Sequence, residues 1–442
     1  METIQVKTSF FSRFSVMIKL MVIGVLGLAL LIPTVFIQEI IHERQRYSEE
    51  VMQEIYSQCA NRQILSGPVW SIPVSSTAAE LAAEKVVAKK YLHLAPKSLN
   101  IKGTVEPQTL KRGIYEAAVY SSQWELKGVI PVPELAGGGR SFLEGLHPFL
   151  SFGISDLRGI EDPVVVQVAG KTYEVHPGSM VAELHESGFH VELNQRDSSQ
   201  KKEIPFTITF RLRGSEGIGI LPLGATTAVT IQSTWKDPKF TGNFLPISRE
   251  IGEEGFEANW QIAELNRNLP KSWINGELQV APADTQFGVD FLSPIDHYRK
   301  AIRSAKYAIL TIGLTFLMLF LVETVGNKPI HPIQYGMVGF AICLFYLLLV
   351  SISEHTAFNT AFLIAALSVI LTITIYSITL FKSTLLSTVL GTVLALSYGF
   401  VFLTLQSQDY ALLIGSLGLL IALIITMLLT KNVNWYSVAD KT

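Results

Sequence analysis

Apolar residues run for the length of a bilayer crossing, about 20 residues, at roughly 16–37, 307–325, 333–351, 358–380, 384–405 and 410–430. Runs of that length and continuity predict six transmembrane helices, one early in the chain and five near its end. Between positions 62 and 290 the pattern changes to short alternating or apolar runs broken by Gly and Pro, as in Ile114 to Val119, Val164 to Val168, Phe206 to Leu212 and Ala228 to Ser233. A period of two with frequent turn residues predicts strands. The main helical stretch expected in this region is Thr77 to Tyr91, where Thr77 and Glu80 have capping-box spacing and Glu84, Lys85 and Lys89 supply a solvated side. The flanks, Ile40 to Ser57 and Ser293 to Lys306, read as helical extensions of the adjoining spans.

Charge sharpens this partition. Only 16% of the 442 residues are charged, against about 25% in soluble domains. Positions 1–38 hold 3 basic and 1 acidic residue and positions 306–442 hold 5 and 4, which leaves 27 basic and 32 acidic for the 267 residues between. A mildly acidic, polar body between two charge-poor segments is the pattern of a soluble module tied to a membrane domain. The composition argues against a disordered chain, a coiled coil or a nucleic-acid binder. Cys59 and Cys343 lie too far apart in character and in sequence to suggest a disulfide, and no Cys/His cluster has zinc-ligand spacing.

The first apolar run is as long as a full span and lacks a small-x-small cleavage site before Glu39. It therefore reads as an uncleaved signal anchor rather than a cleaved signal peptide, with a kink expected at Pro33. Lys7, Arg13 and Lys19 favour a cytoplasmic amino terminus, which exports the large module. Lys328, Lys382, Lys431 and Lys441 then fall inside, while the loops around Glu354 and Asp409, which contain no Lys or Arg, fall outside. Arg299, Lys300, Arg303 and Lys306 oppose the rule, but long translocated domains cross largely regardless of charge. The expected organisation is 1–38 as cytoplasmic amino terminus and first span, 39–305 as the exported β-rich (α+β) module, and 306–442 as a five-helix membrane domain with a cytoplasmic tail. The fold class is thus a six-helix transmembrane α domain with the β-rich module inserted between helices 1 and 2.

Standard catalytic signatures are missing from the sequence: no G-x-S-x-G, H-E-x-x-H, P-loop, C-x-x-C or strand-linked G-x-G-x-x-G. The spacing S-x-x-K occurs at Ser198/Lys201, Ser199/Lys202 and Ser233/Lys236, and so short a pattern recurs by chance. His176, His185 and His190 match no metal-ligand spacing, so neither a metal nor a cofactor is expected. Ionisable residues near the membrane carry more information, because charge in hydrocarbon is costly unless paired, hydrated or functional. Glu323, His331, Glu354 and His355 qualify, with Gln334 and Tyr335 beside them. Glu323 is placed to meet Lys328 or His331 as an interfacial pair. From His331 to Glu354 is 23 residues, roughly 35 Å of helix, so the two clusters mark two interfaces or the two mouths of a pathway, not one compact site. Trp435 and Tyr436 read as an aromatic belt.

In the polar module the segment Trp235 to Pro246 interleaves Trp235, Phe240 and Phe244 with Pro238, Gly242 and Pro246. It reads either as a rigid corner packed on a sheet or as an aromatic-lined groove for a ligand or the membrane surface.

Several segments together resemble the CreD family of inner-membrane proteins over nearly the whole chain. In the module these are Ser66-Gly67-Pro68 with Ile72-Pro73, Ser155-Asp156-Leu157-Arg158-Gly159, and Trp235 to Pro246 with Trp260. In the membrane half they are His331 to Tyr335, Phe345 to Leu349, Ser353-Glu354-His355, Leu363 to Leu367, Asp409 to Leu413 with Gly415-Ser416, and Trp435-Tyr436. The chain departs from the family at Lys236, Asp237 and Lys239, where the family segment resembles Trp-Pro-His-Pro-Ser-Phe. The resemblance implies a Gram-negative inner-membrane protein with a large periplasmic portion, associated with envelope integrity and the regulon of the CreBC two-component system, and implies no defined biochemical activity.

Three functions compete. The first is a non-enzymatic envelope protein whose module binds a periplasmic protein, lipid or cell-wall component while the helices anchor it among membrane lipids. The second is a transporter or lipid-handling protein using the polar helix ends, and the third an enzyme at the membrane surface with an unfamiliar site.

Overall fold

The computed structural model describes residues 15–74, 90–132, 147–193, 202–267, 269–278, 285–291, 296–326, 330–407 and 410–431. The chain forms two compact units, Met1–Glu49 with Pro294–Thr442, and Glu50–Ser293.

The first unit is helical. Its described elements are α1 (Ser15–Ala29), the first part of α2 (Leu31–Gln58), α3 (Asp296–Lys306), α4 (Ala308–Gly326), α5 (Pro332–Ser353), α6 (Phe358–Phe381), α7 (Thr384–Gln406) and α8 (Ala411–Thr430). Among the described residues four helices are long and apolar enough to cross a membrane: Lys19–Gln58, Pro332–Ser353, Phe358–Phe381 and Thr384–Gln406. A fifth is the pair His297–Lys306 and Ala308–Glu323, bent by 41°, if it counts as one span. Within α8 the apolar run is Leu413–Leu428.

The break between α1 and α2 falls at Leu30, one turn before Pro33, whose ring has no N–H to give the Ala29 carbonyl and crowds it. Buried Phe345, Tyr346 and Leu349 of α5 share one core with Phe362, Ala361 and Ala365 of α6, the Phe345 and Phe362 rings meeting at 5.2 Å, and the small residues let the two helices approach closely. Ile41, Tyr298, Ala301 and Ala305 belong to the same core, which is why the helical unit takes in Glu39–Glu49 and residues 294–305. The second unit is Glu50–Ser293.

The second unit is β-rich. In chain order its strands are β1 (Gln63–Val74), β2 (Lys90–Leu94), β3 (Ser98–Arg112), β4 (Tyr115–Pro131), β5 (Phe149–Ile154), β6 (Val165–Val168), β7 (Lys171–Tyr173), β8 (His176–Pro177), β9 (Gly188–Glu192), β10 (Glu203–Ser215), β11 (Gly217–Leu221), β12 (Thr226–Ser233), β13 (Pro238–Gly242), β14 (Ser248–Gly252), β15 (Gly255–Ala263), β16 (Ser272–Ile274) and β17 (Phe287–Phe291). One sheet runs β13-β17-β11-β1-β5-β9-β8, with β2 joined to β1 and β16 to β2; the other runs β14-β15-β12-β3-β4-β10-β6-β7. The pairs β1·β11 and β3·β12 are parallel.

The sheets share one core, to which Leu65, Trp70 and Phe152 contribute from the first and Trp124, Phe210 and Trp260 from the second. In the second sheet the strands alternate as their sequences do: β12 buries Thr227, Val229, Ile231 and Ser233 and leaves much of the intervening set in water. In the first, β5 and β11 are buried on both faces, because a smaller cluster of Val69, Val181, Leu184, Leu221 and Trp273 covers the outer side.

Of the helix expected over Thr77 to Tyr91, residues 77–89 lie outside the described residues, and Lys90 and Tyr91 begin β2 instead. There the chain pairs with Val74 and Pro73 of β1, a non-local partner that overrides local helix propensity.

Candidate functional site

At one end of the helical unit Glu323, 8% exposed, accepts three bonds. Lys19 of α1 pairs with its Oε1, the Ile330 N–H donates to Oε1 at 2.7 Å, and the buried Tyr335 hydroxyl donates to Oε2 at 3.0 Å. Among the described residues its cationic partner is thus Lys19. Lys328 lies outside the described residues, and His331 is taken up by the start of α5. There its Nδ1 accepts the Ile333 N–H at 3.3 Å while Gln334 Oε1 accepts the His331 N–H at 2.8 Å, a capping box that satisfies orphan donors of the helix end.

At the other end of α5 the Tyr298 hydroxyl donates to Glu354 Oε1 at 3.0 Å, and His355 is exposed. Helix α5 has 22 residues, about 33 Å, so Glu323 and Glu354 lie near its opposite ends and form no single site. Each carboxylate has its own phenol partner.

In the β-rich unit the segment 235–246 turns its rings onto the core. Trp235 meets Phe291 at 6.0 Å between centroids, Phe240 meets Phe256 and Trp260 at 5.8 Å, and Phe244 meets Phe287 at 5.9 Å. The Trp260 indole donates to the Phe244 carbonyl at 3.1 Å and the Trp235 indole to that of Asp237 at 3.1 Å. Pro238 and Pro246 are half-buried and Gly242 is exposed. Trp235→Ala is expected to lower the unit's stability by about 2 kcal/mol, measured by thermal unfolding; a shift of no more than a few tenths would mean the ring packs on nothing of consequence.

The residues with the most chemical potential in this unit carry no sequence motif. Ser71 of β1 stands opposite His93 of β2, and its hydroxyl lies 2.8 Å from His93 Nδ1. His93 Nε2 lies 3.6 Å from Glu183, whose carboxylate also takes the Trp273 indole N–H at 2.7 Å and the Gly276 N–H at 2.8 Å. Beside them His185 bridges two more hydroxyls, Ser66 at 3.2 Å and Ser151 at 3.1 Å. The register shift in β1 between Ser66 and Val69, at Gly67-Pro68, is what brings Ser66 and Ser71 to one side of the strand although five positions separate them.

Burial pushes both imidazoles down, each to about 4; the nearby Glu183 carboxylate partly offsets this at His93, and His93 itself adds to it at His185. Both rings are neutral at physiological pH. The order hydroxyl, imidazole, carboxylate is that of a proton relay. Yet Ser71 is 0% and His93 2% exposed, with only the Glu183 end of the series reaching solvent at 21%, so the hydroxyl and imidazole are held inside as a satisfied polar network. Gly153 is part of its construction, since a Cβ there would come within 2.5 Å of the His185 ring. Gly153→Ala is expected to displace that ring and cost about 1–3 kcal/mol, read as lost protection of the Ser66 and Ser151 amides in hydrogen exchange; unchanged protection would refute it.

The other candidates are scattered. His176 and His190 face each other across β8 and β9 with centroids 5.7 Å apart, His190 standing opposite His185's partner Ser151 in the ladder, and among the described residues no three His, Cys, Asp or Glu side chains converge as metal ligands. Ser233 Oγ accepts the Trp235 N–H at 3.2 Å and Lys236 is exposed. Residues 198–201 of the other two S-x-x-K pairs, and Trp435 and Tyr436, lie outside the described residues. Ser155 to Gly159 form a corner: Arg158 pairs with Asp156 at 2.6 Å, holding that carboxyl below its ordinary range, and donates to the Ser57 carbonyl at the end of α2 at 3.1 Å.

The family described as Inner membrane protein CreD matches residues 15–436. Inner membrane protein CreD of Escherichia coli (strain K12) is 33% identical over 413 residues, which cover 93% of this chain and 91% of that one.

Proposed function

Because the chain belongs to the CreD family of inner membrane proteins, we propose that it is a multi-pass anchor holding a partner-binding β-rich module in the periplasm, in support of envelope integrity and without catalysis of its own. In this reading six helices cross the membrane, the module is inserted after the first, and both termini are cytoplasmic, as the basic residues of the short loops favour.

The observation that carries the binding role is an edge of the module's core that is open among the described residues. The edge strand β14 pairs Ile251 with Phe256, and the Ile247 N–H bonds the Asn259 carbonyl just beyond. In an antiparallel ladder opposite residues share a face, so Ile247 and Ile251 point the same way as the buried Trp260 and Phe256. They are nonetheless 70% and 51% exposed, and Leu245 beside them is 71% exposed. A free strand edge with uncovered apolar side chains is a template for an added strand or an apolar partner surface. The hydroxyl–imidazole–carboxylate series, by contrast, keeps its hydroxyl and imidazole inside, which favours binding over catalysis. The polar helix ends form separate interfacial pairs, which favours an anchoring role for the helices.

A photocrosslinking amino acid placed at Ile247 in cells is expected to give defined adducts with envelope components. The same group at the exposed Val165 of β6, in the opposite half of the second sheet, should give none. Equal or absent labelling at the two positions would overturn the reading.

A further inference from the structure

The four basic residues that begin the second apolar stretch, Arg299, Lys300, Arg303 and Lys306, stand where the charge rule for short loops would not put them. Two of them have occupations within the helical unit. Lys300 lies 5.8 Å over the Phe358 ring and Arg299 has interactions of its own. Among the described residues Arg303 and Lys306 have none. They are exposed, three residues apart on the last turn of α3, and make no ion pair with any described residue. That spacing puts both cations on one side of the helix.

Directly below Lys306 the chain bends by 41° into α4, and a groove of about 570 Å³ opens between α4, α7 and α8. Lys306, Tyr307 and Ser416 supply its polar mouth; Leu310, Gly313 and Phe400 are among its apolar walls. It continues past Leu314 and Phe400 into a second space of about 500 Å³ that reaches Leu321 and Thr426 and is almost wholly apolar. Small residues keep the mouth open: a Cβ at Gly313 or Gly415 would meet nothing within 4 Å. From Lys306 to Leu321 is 15 residues, about 22 Å of helix, more than the roughly 15 Å of hydrocarbon that fills one leaflet.

We propose that this groove is a specific site for an anionic phospholipid, with one acyl chain lying along α4 between α7 and α8 and the phosphate held by Arg303 and Lys306. The charge is at one end only, at the level where the helices begin, and the rest of the groove is apolar, which is the polarity of a lipid molecule. A neighbouring helix from a second copy would fill the apolar part and leave the two cations unanswered. Basic residues at the mouth of an interhelical groove are a recurring way to select acidic headgroups. This site is independent of the module's partner and stands or falls without it.

The test is native mass spectrometry of the full-length protein in mild detergent, titrated with phosphatidylglycerol or with phosphatidylcholine of the same acyl chains. The expected result is at least a tenfold tighter fit for phosphatidylglycerol. Arg303→Gln with Lys306→Gln should erase that preference and leave the zwitterionic lipid binding as before. Gly313→Phe and Gly415→Phe, placed where a Cβ would meet nothing within 4 Å, should each weaken both lipids, with the melting temperature read beside them. Equal affinities in the wild-type protein, a preference that survives the double substitution, or undiminished binding in both glycine variants would overturn the proposal. Should one glycine variant melt early, the other and the charge variant still decide the matter.

Discussion

Glu323→Ala is expected to destabilise the helical unit by about 3–5 kcal/mol, the usual cost of leaving one partner of a buried ionic pair alone. Three donors lose their acceptor at once: the Lys19 ammonium, the Tyr335 hydroxyl and the Ile330 N–H. They come from α1, α5 and the approach to α5, so one carboxylate on α4 ties three chain segments together. Glu323→Gln keeps one acceptor oxygen, for the Ile330 N–H and Lys19 when it stands at Oε1, and sets an NH2 group opposite the Tyr335 hydroxyl, which must then turn to accept; it should cost less than the alanine, roughly 1–3 kcal/mol. Replacing Lys19 and Glu323 together by Met should recover part of the loss, because no charge is then stranded. Denaturant or thermal unfolding of the full-length protein in detergent reads all three. A Glu323→Ala variant within about 0.5 kcal/mol of wild type would mean the pairing does not hold the helices.

Mild acid is expected to unfold the β-rich unit. His93 and His185 titrate at about 4 when folded against an ordinary 6.5, so between those values the unfolded chain binds more protons than the folded one. Stability is therefore fully present above about pH 6.5 and is lost as pH falls toward 4, by up to about 3 kcal/mol for each ring. The two rings influence each other, so the losses need not add. Tryptophan fluorescence is a suitable probe, because Trp70, Trp124, Trp235, Trp260 and Trp273, five of the six tryptophans, lie in this unit. The melting temperature should drop steeply from pH 7 to pH 5, and His93→Gln should flatten the slope by about one proton. A melting temperature independent of pH across that interval would contradict the buried, neutral network.

The helices were legible because their signal is local. The apolar runs at 333–351, 358–380 and 384–405 match α5, α6 and α7 within two residues at each end. The four strand runs read from alternation lie in or beside β4, β6, β10 and β12 for the same reason. What escaped was whatever depends on distant partners. Spacing relates Glu323 only to its near neighbours Lys328 and His331, whereas the cation described at it lies 304 residues away on α1. Ser71, His93 and Glu183 carry no recognisable spacing because three separate stretches of chain bring them together, and the shift in β1 at Gly67-Pro68 changes which side Ser66 faces. The aromatic segment at 235–246 was visible as a unit, but a sequence cannot tell a ring lining a groove from a ring packed on Phe291 or Phe256. The lipid groove had only an indirect trace, the basic residues that broke the charge rule.

The central claim is that the β-rich unit is exported between one membrane span and five. Cys59 sits at its start, half-buried, while Cys343 is buried among the helices, and Leu265→Cys adds a reporter at a position 97% exposed. A membrane-impermeant maleimide applied to cells with a permeabilised outer membrane should label Cys59 and the Leu265→Cys variant while the inner membrane is intact. Labelling of both only after the inner membrane is broken would place the unit in the cytoplasm and contradict the account.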